Sequence, residues 1–256
     1  TVVNFAWFFN IHFTLIFLVV IWALGVSMIV LAGLIHLPKK LVLGIGLLLV
    51  VGHNLLDTVH VDGTDWKAVG WAVLHEFRFF DFEKVDLFVG YPLIAWIGVM
   101  TLGYCFGELY VLDASVRRRK LIQLGSSAIV LFLVIRALNI YGDPLPWSLQ
   151  SSPLTTMLSF LNTQKYPPSL LYLLMTLGPS ILFLAFAEKP LGKINQAFVT
   201  VGRVPMFYYL LHLYLIHGLA VIAAIMTGFG IAPMINLDTW INMSEALKGY
   251  GFNLWV

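Results

Sequence analysis

The chain has 256 residues, 60% hydrophobic and 11% charged, with a net charge of +2. Soluble domains are about one quarter charged, so a water-soluble globular protein is excluded. So small a positive charge, without a basic stripe carrying interleaved aromatics, also excludes nucleic-acid binding.

Long uninterrupted apolar runs, rather than ten-residue alternating ones, select membrane helices over a closed barrel. The expected fold class is all-α, a polytopic integral membrane protein with about six transmembrane helices. It is read as a single domain over residues 1–256. Thr1 is followed at once by apolar VVNFAWFF, and the chain ends in FNLWV, which reads as the start of another helix. The expectation is an interior piece of a longer protein, truncated at both ends. Cys105, the single cysteine, lies in an apolar run and excludes an intrachain disulfide or a cysteine metal site.

The first predicted span is Phe13 to Ile35, stopped at His36-Leu-Pro38-Lys39-Lys40, where proline ends the helix and lysines mark an interface. A shorter second span, Leu41 to Leu56, ends in Gly52-His53-Asn54-Leu-Leu-Asp57. The polar stretch Thr58 to Asp86 follows. Its middle, Trp66 to Phe80, has near-helical apolar spacing and suits a helix lying in the interface plane. The third span, Leu87 to Glu108, carries Pro92, Gly98, Gly103 and Gly107, small or kinking residues that suit close packing in lipid. The fourth, Leu121 to Tyr141, follows the basic run Arg117-Arg118-Arg119-Lys120 and contains Arg136. After a proline-rich loop, Pro168 opens the fifth, which runs to Ala187. The sixth runs 21 residues, Met206 to Met226, with no Asp, Glu, Lys or Arg.

Lys39, Lys40, the Arg117–Lys120 run, Lys189, Lys193 and Arg203 alternate onto one side of these spans. Lys67, Arg78, Lys84, Lys165 and Lys248 fall on the other, with most of the acidic residues. The positive-inside rule puts the first group in the cytoplasm and the Asp57–Asp86 loop outside. There is no internal repeat, which weakens a secondary-transporter reading.

Ionisable groups at membrane depth are candidates for function. His53 and Asp57 share a helix face one turn apart, with Asn54 adjacent. A carboxylate beside an imidazole sets its tautomer for acid–base work; a polar helix cap accounts for the pattern equally well. Extending to His60 gives His-x3-Asp-x2-His, a metal-ligand spacing, but the helix is expected to end near Asp57 and no metal is expected. Arg136 lies roughly 24 Å along its helix from Lys120. It is read first as snorkelling to water, with Asp143 or an anionic substrate as the alternative partner and Asn139 on the same polar face. His212 and His217, five apart, diverge around their helix and cannot form a paired metal site. Tyr208 and Tyr209 neighbour His212, and neutral histidines bonded to adjacent helices are the competing account. Arg203, Arg117 and Arg118 suit bidentate phosphate contacts. For the basic run, anchoring to anionic lipid is the stronger alternative. No Walker loop, dinucleotide-binding glycine pattern, HExxH or serine nucleophile elbow is present.

Five stretches, TVVNFAWFFNIHFTLIFL, VVGHNLLD, YPLIAWIGVMTLGYCFG, QKYPPSLLYLLMTLGP and GRVPMFYYLLHLYLIH, resemble the bacterial relatives of heparan-α-glucosaminide N-acetyltransferase, in family order across nearly the whole chain. The resemblance implies a membrane acyltransferase moving an acetyl group from cytoplasmic acetyl-CoA to a sugar amine or glycan on the outer side. It also implies a bacterial inner-membrane location. In the family the catalytic histidine lies N-terminal to these blocks, so it is carried over to no residue here.

Catalytic roles are expected of His53, Asp57 and His212, and cofactor phosphate contacts of Arg203, Arg117 and Arg118. A substrate channel is expected along Asn54, Arg136, Tyr208 and His217. The expected partners are membrane lipid, acetyl-CoA and a sugar acceptor, with a homodimer left open. A polar-solute carrier or a catalytically degenerate subunit is the alternative function.

Overall fold

The computed structural model describes residues 5–6, 14–187, 192–235 and 248. The chain divides into two compact units, one of Thr1–Phe17, Phe79–Phe88 and Pro190–Val256, the other of Leu18–Arg78 and Val89–Lys189. The sequence expectations for Lys189 and for FNLWV fall outside the described residues.

The second unit is helical. It contains α1 (Val20–Leu34), α2 (Lys39–Gly52, tightening into a 3-10 turn at His53–Leu56), α3 (Trp66–Leu74), α4 (Leu93–Phe106, continued by a 3-10 turn at Gly107–Val111), α5 (Ala114–Leu138), α6 (Pro153–Leu161) and α7 (Leu170–Ala187). Glycines set its closest helix contacts. A Cβ on Gly46 of α2 would meet Leu102 of α4 at 2.8 Å, and one on Gly98 of α4 would meet Val50 and Leu49 at 2.8 and 2.9 Å. Between α5 and α7, a Cβ on Gly125 would stand 2.9 Å from the Gly178 carbonyl oxygen. Small residues let backbones approach where lipid supplies no hydrophobic drive between helices. Gly103 and Gly107, expected to pack in the same way, have nothing within 4 Å of a built Cβ. Leu48, Val130 and Phe183 instead stand exposed, as side chains solvated by acyl chains do.

The first unit holds a three-stranded sheet of order β1 (Leu15–Leu18), β3 (Val85–Val89), β2 (Arg78–Phe82). Its helices are α8 (Lys193–Gly202) and α9 (Pro205–Met226), with a 3-10 turn at Ala232–Met234. The β2–β3 turn puts Glu83 at φ 34°.

Five described helices are long and apolar enough to cross a membrane: Lys39–Leu56, Leu93–Val111, Ala114–Leu138, Leu170–Ala187 and Pro205–Met226. The first expected span differs. Its opening residues form β1, leaving α1 with 15 residues, roughly 22 Å against a hydrocarbon core of about 30 Å. Thr14, Ile16 and Phe17 have strand-favouring side chains, which apolarity alone does not distinguish from a membrane helix. Likewise Leu87 to Val89 belong to β3, and α4 begins only after Pro92. The interface helix ends at Leu74, and Arg78 to Phe80 pass into β2. The fourth helix starts earlier than expected, at Ala114, and so includes the basic run. The fifth starts at Leu170 rather than Pro168.

Candidate functional site

The polar centre of the helical unit forms where α2 ends. His53 and Asn54 lie on the 3-10 turn that finishes this helix, and Asp57 caps it. Asn54 is bonded at both ends of its amide. Its Oδ1 accepts from the Leu170 N–H at 2.9 Å, one of the orphan donors at the α7 N-terminus. Its Nδ2 donates to Asp57 Oδ2 at 2.8 Å. That leaves Asp57 Oδ1 to accept from His75 Nε2 at 3.0 Å. Because a carboxylate only accepts, the His75 proton sits on Nε2 and Nδ1 carries the lone pair.

His75 is delivered by α3, whose C-cap it forms. That helix is started by Asp65, which accepts from the Ala68 N–H at 3.0 Å. It is tied to the preceding loop by Trp71 Nε1, which donates to the Val59 carbonyl at 2.9 Å. Its apolar pattern, legible as an interfacial helix, therefore serves to place His75 18 positions from Asp57.

His53 is 2% exposed and His75 4%. Their rings meet edge to face, 5.7 Å between centroids. Neither His53 nitrogen has a hydrogen-bond partner. One donor atom from each of His53, Asp57 and His75 lies within 4.8 Å of the others. His60, which the sequence spacing grouped with His53 and Asp57, instead pairs with Glu76, Nδ1 to Oε1 at 3.3 Å. The chain leaves helical geometry after Leu56, so the turn that would align His60 is never made.

Asp57, His60, His75, Glu76, Gln164 and Tyr166 line a cavity of about 280 Å³, near the lower bound of roughly 300–1,000 Å³ for small-molecule sites. Its far wall is built from the stretches that flank α6, at Pro144 and at Gln164 to Pro167. Asp143 Oδ2 accepts from the Gln164 N–H at 2.8 Å and from Ser169 Oγ at 2.7 Å. Gln164 Nε2 donates to the Tyr166 carbonyl at 2.7 Å. Burial raises the Tyr166 phenol, but hydrogen bonds to Tyr91 and Lys165, with the Lys165 charge, outweigh it and hold the phenol below its ordinary value. Tyr141 donates its hydroxyl to the Val51 carbonyl, and burial together with the Asp57 charge pushes it up.

Arg136 does not snorkel. It is 1% exposed and donates to the carbonyls of Phe160, Leu145, Ser159 and Asn162 at 2.6–3.1 Å. Asp143 stands 3.9 Å away. Its charge is matched by the C-terminal carbonyls of α6, the Leu145 carbonyl and one carboxylate, so it ties α6 and the segment that carries the cavity wall to α5. Asn139, at φ 57° where α5 ends, exchanges two hydrogen bonds with the Trp147 backbone and secures the same segment.

The other sequence-selected residues are described by their contacts within each unit. In the first unit, His212 Nδ1 donates to the Tyr208 carbonyl at 3.1 Å, and its ring stacks on Tyr208 with Tyr209 edge-on. His217 Nε2 donates to the Met234 carbonyl at 2.8 Å. Arg203 caps α8 and is exposed. In the helical unit, Arg117 donates to the Leu112 carbonyl and lies over Tyr110, while Arg118 is exposed over Phe186. Sequence reading missed His75, Glu76, Gln164 and Tyr166 as site groups. None stands at a local spacing from Asp57, and only the Leu74-His75-Glu76 polar end of the α3 pattern could have flagged the first two.

No curated protein and no solved structure matches the chain. A family model described as Heparan-alpha-glucosaminide N-acetyltransferase, catalytic, matches residues 1–142, a stretch holding His53, Asn54, Asp57, His75 and Glu76. With more than half of its length matched, this membrane protein belongs to the heparan-α-glucosaminide N-acetyltransferase catalytic-domain family.

Proposed function

We propose that the chain transfers the acetyl group of acetyl-CoA to the amine of an amino sugar or glycan bound in the cavity beside Asp57 and His75. The observation that carries this reading is the Asp57–His75 pair at the wall of a polar cavity, within the part of the chain that matches an N-acetyltransferase family. Asp57 fixes the His75 tautomer, and the free His75 Nδ1 takes a proton from the acceptor amine as the new C–N bond forms. The acetyl group leaves sulfur for nitrogen, and the proton taken by His75 passes to the departing thiolate, which leaves as the thiol of coenzyme A. Glu76, Gln164 and Tyr166 supply a carboxylate, an amide and a phenol for a polyhydroxylated acceptor.

The charge distribution supports an outward-facing cavity and a cytoplasmic donor side, and a bacterial inner membrane is part of the same proposal. Exposed Arg118 and Arg203, with Arg117, suit the donor's phosphates. His212, His217 and Tyr208 remain proposed contributors on α9, and His53 a proposed contributor beside His75.

The test is acetyl transfer from radiolabelled acetyl-CoA to glucosamine by purified protein in lipid vesicles. His75→Gln and Asp57→Asn should each lower kcat about 100-fold or more, the range of general-base contributions. Wild-type rates in both variants would remove the pair from catalysis.

A further inference from the structure

The His53–Asp57–His75 cluster holds more than the acid–base pair needs. Buried polar atoms in native folds are almost always hydrogen-bonded, and an orphaned one destabilises the fold. His53 has two such atoms on one ring, at 2% exposure, beside a second imidazole and a carboxylate. An imidazole with a free lone pair, a second imidazole and an oxygen donor within 4.8 Å of one another form a three-ligand set of the kind that borderline divalent ions take. Asp57 and His75 also line the cavity, which leaves a fourth position open to it.

The ligands are prearranged by contacts that do not involve an ion. Asn54 holds the second Asp57 oxygen and is itself locked to the α7 N-terminus, and the cap of α3 holds His75. Such outer partners orient first ligands and are a regular part of metal centres.

We propose that His53, Asp57 and His75 bind one zinc-type divalent ion, with its fourth position facing the cavity, and that the ion competes with the proton-accepting role of His75. When the ion takes His75 Nε2, the ring proton moves to Nδ1. The lone pair that would receive the amine proton is then gone. Binding stands on the geometry alone, while the competition rests on the acetyl-transfer reading above. The sequence expectation of no metal is thereby reversed, with His75 in the place His60 held in the linear spacing.

The experiment uses the full chain, purified in detergent, stripped with chelator and titrated with Zn²⁺ by calorimetry and with Co²⁺ by visible absorption. One ion per chain is expected, with the Co²⁺ band of a low-coordinate nitrogen–oxygen site. His53→Phe keeps the ring volume and drops both nitrogens, and His75→Gln removes the other imidazole. Each should weaken binding at least about tenfold, since even outer-shell losses cost 10–100-fold. His60→Ala, at the cavity but outside the ligand set, should keep wild-type affinity and serves as the folded control. Absence of a stoichiometric site, or equal affinity in wild type, His53→Phe and His75→Gln, overturns the site. Zn²⁺ should lower acetyl transfer by the stripped protein as it loads; transfer unchanged at full loading overturns the competition. Transfer without any ion binding defeats only this inference. Ion binding without transfer at any ion content defeats only the acetyl-transfer reading.

Discussion

The Leu170 N–H and the Asn54 side chain, 116 positions apart, meet at 2.9 Å. The contact joins the end of α2 to the start of α7 and leaves the other end of the amide to hold Asp57. Asn54→Leu should therefore act twice. It strands a buried backbone donor, costing about 1–3 kcal/mol, and it frees one Asp57 oxygen. The expected outcome is a lower melting temperature in detergent together with reduced transfer. A variant that keeps wild-type melting would show that Asn54 does not secure this junction.

Arg136 should behave as a structural cation. Its five N–H donors face four backbone carbonyls and a carboxylate in a fixed fork, which the point charge of lysine cannot reproduce. Arg136→Met leaves Asp143 buried without its cation, and breaking a buried pair in this way costs about 3–5 kcal/mol. Arg136→Lys should recover only part of that. Thermal unfolding and limited proteolysis of the Gly142–Tyr166 segment, which contains α6, read both effects.

Helix contact through glycine gives a paired comparison. Gly178→Ala would place a Cβ 2.9 Å from Ile129 Cγ1 and 3.3 Å from its backbone nitrogen, an overpacking of about 1–3 kcal/mol. Gly103→Ala has nothing within 4 Å and should be neutral or slightly stabilising, because alanine favours the helix. Equal melting shifts for the two would contradict the close α5–α7 approach.

Asp86 of β3 carries the pH prediction. Burial, reinforced by the Asp81 charge, raises its carboxyl above the ordinary 3.8. A raised folded value means that the stability it contributes is present below the unfolded value and is lost as pH rises through the folded one. Asp86→Asn should thus unfold at a higher temperature than wild type at neutral pH. The gap should close as pH falls below about 3.8. A constant gap across that range would show that Asp86 ionisation is not the cause.

Arg203 is the clearest donor-side test. If it contacts a phosphate of acetyl-CoA, Arg203→Ala removes a charged hydrogen bond worth about 1.5–3 kcal/mol. The Kd for acetyl-CoA should then rise about tenfold or more by calorimetry, with folding unchanged, since the side chain is exposed. An unchanged Kd would take Arg203 out of the donor site.

Apolar run length and charge placement determined the membrane-helix class by themselves, because a spanning helix satisfies its backbone locally and its signature is contiguous in sequence. The spacing of His53, Asn54 and Asp57 also marked a polar end to the second span, which the structure finishes as a 3-10 turn rather than an α-helical one. The ends of other runs were not legible in this way. Thr14 to Leu18 and Val85 to Val89 are as apolar as the helices beside them, and only hydrogen bonding between distant segments makes them strands. Nor was the partner of Asp57 legible. His60 is nearer in sequence, but the chain turns out of the helix after Leu56 and α3 returns His75 to the carboxylate. Arg136 was visible as a charge at depth, yet the carbonyls that neutralise it come from the C-terminal turn of α6 and from Leu145, whose approach to α5 no local pattern announces. The stretch Gly202 to His217 pointed to its two histidines and its tyrosines, and the structure supplied the carbonyls of Tyr208 and Met234 as their partners. Local periodicity decides which elements form. Which side chains from different elements share one site is set by long-range packing, and in this chain only the tertiary structure decided it.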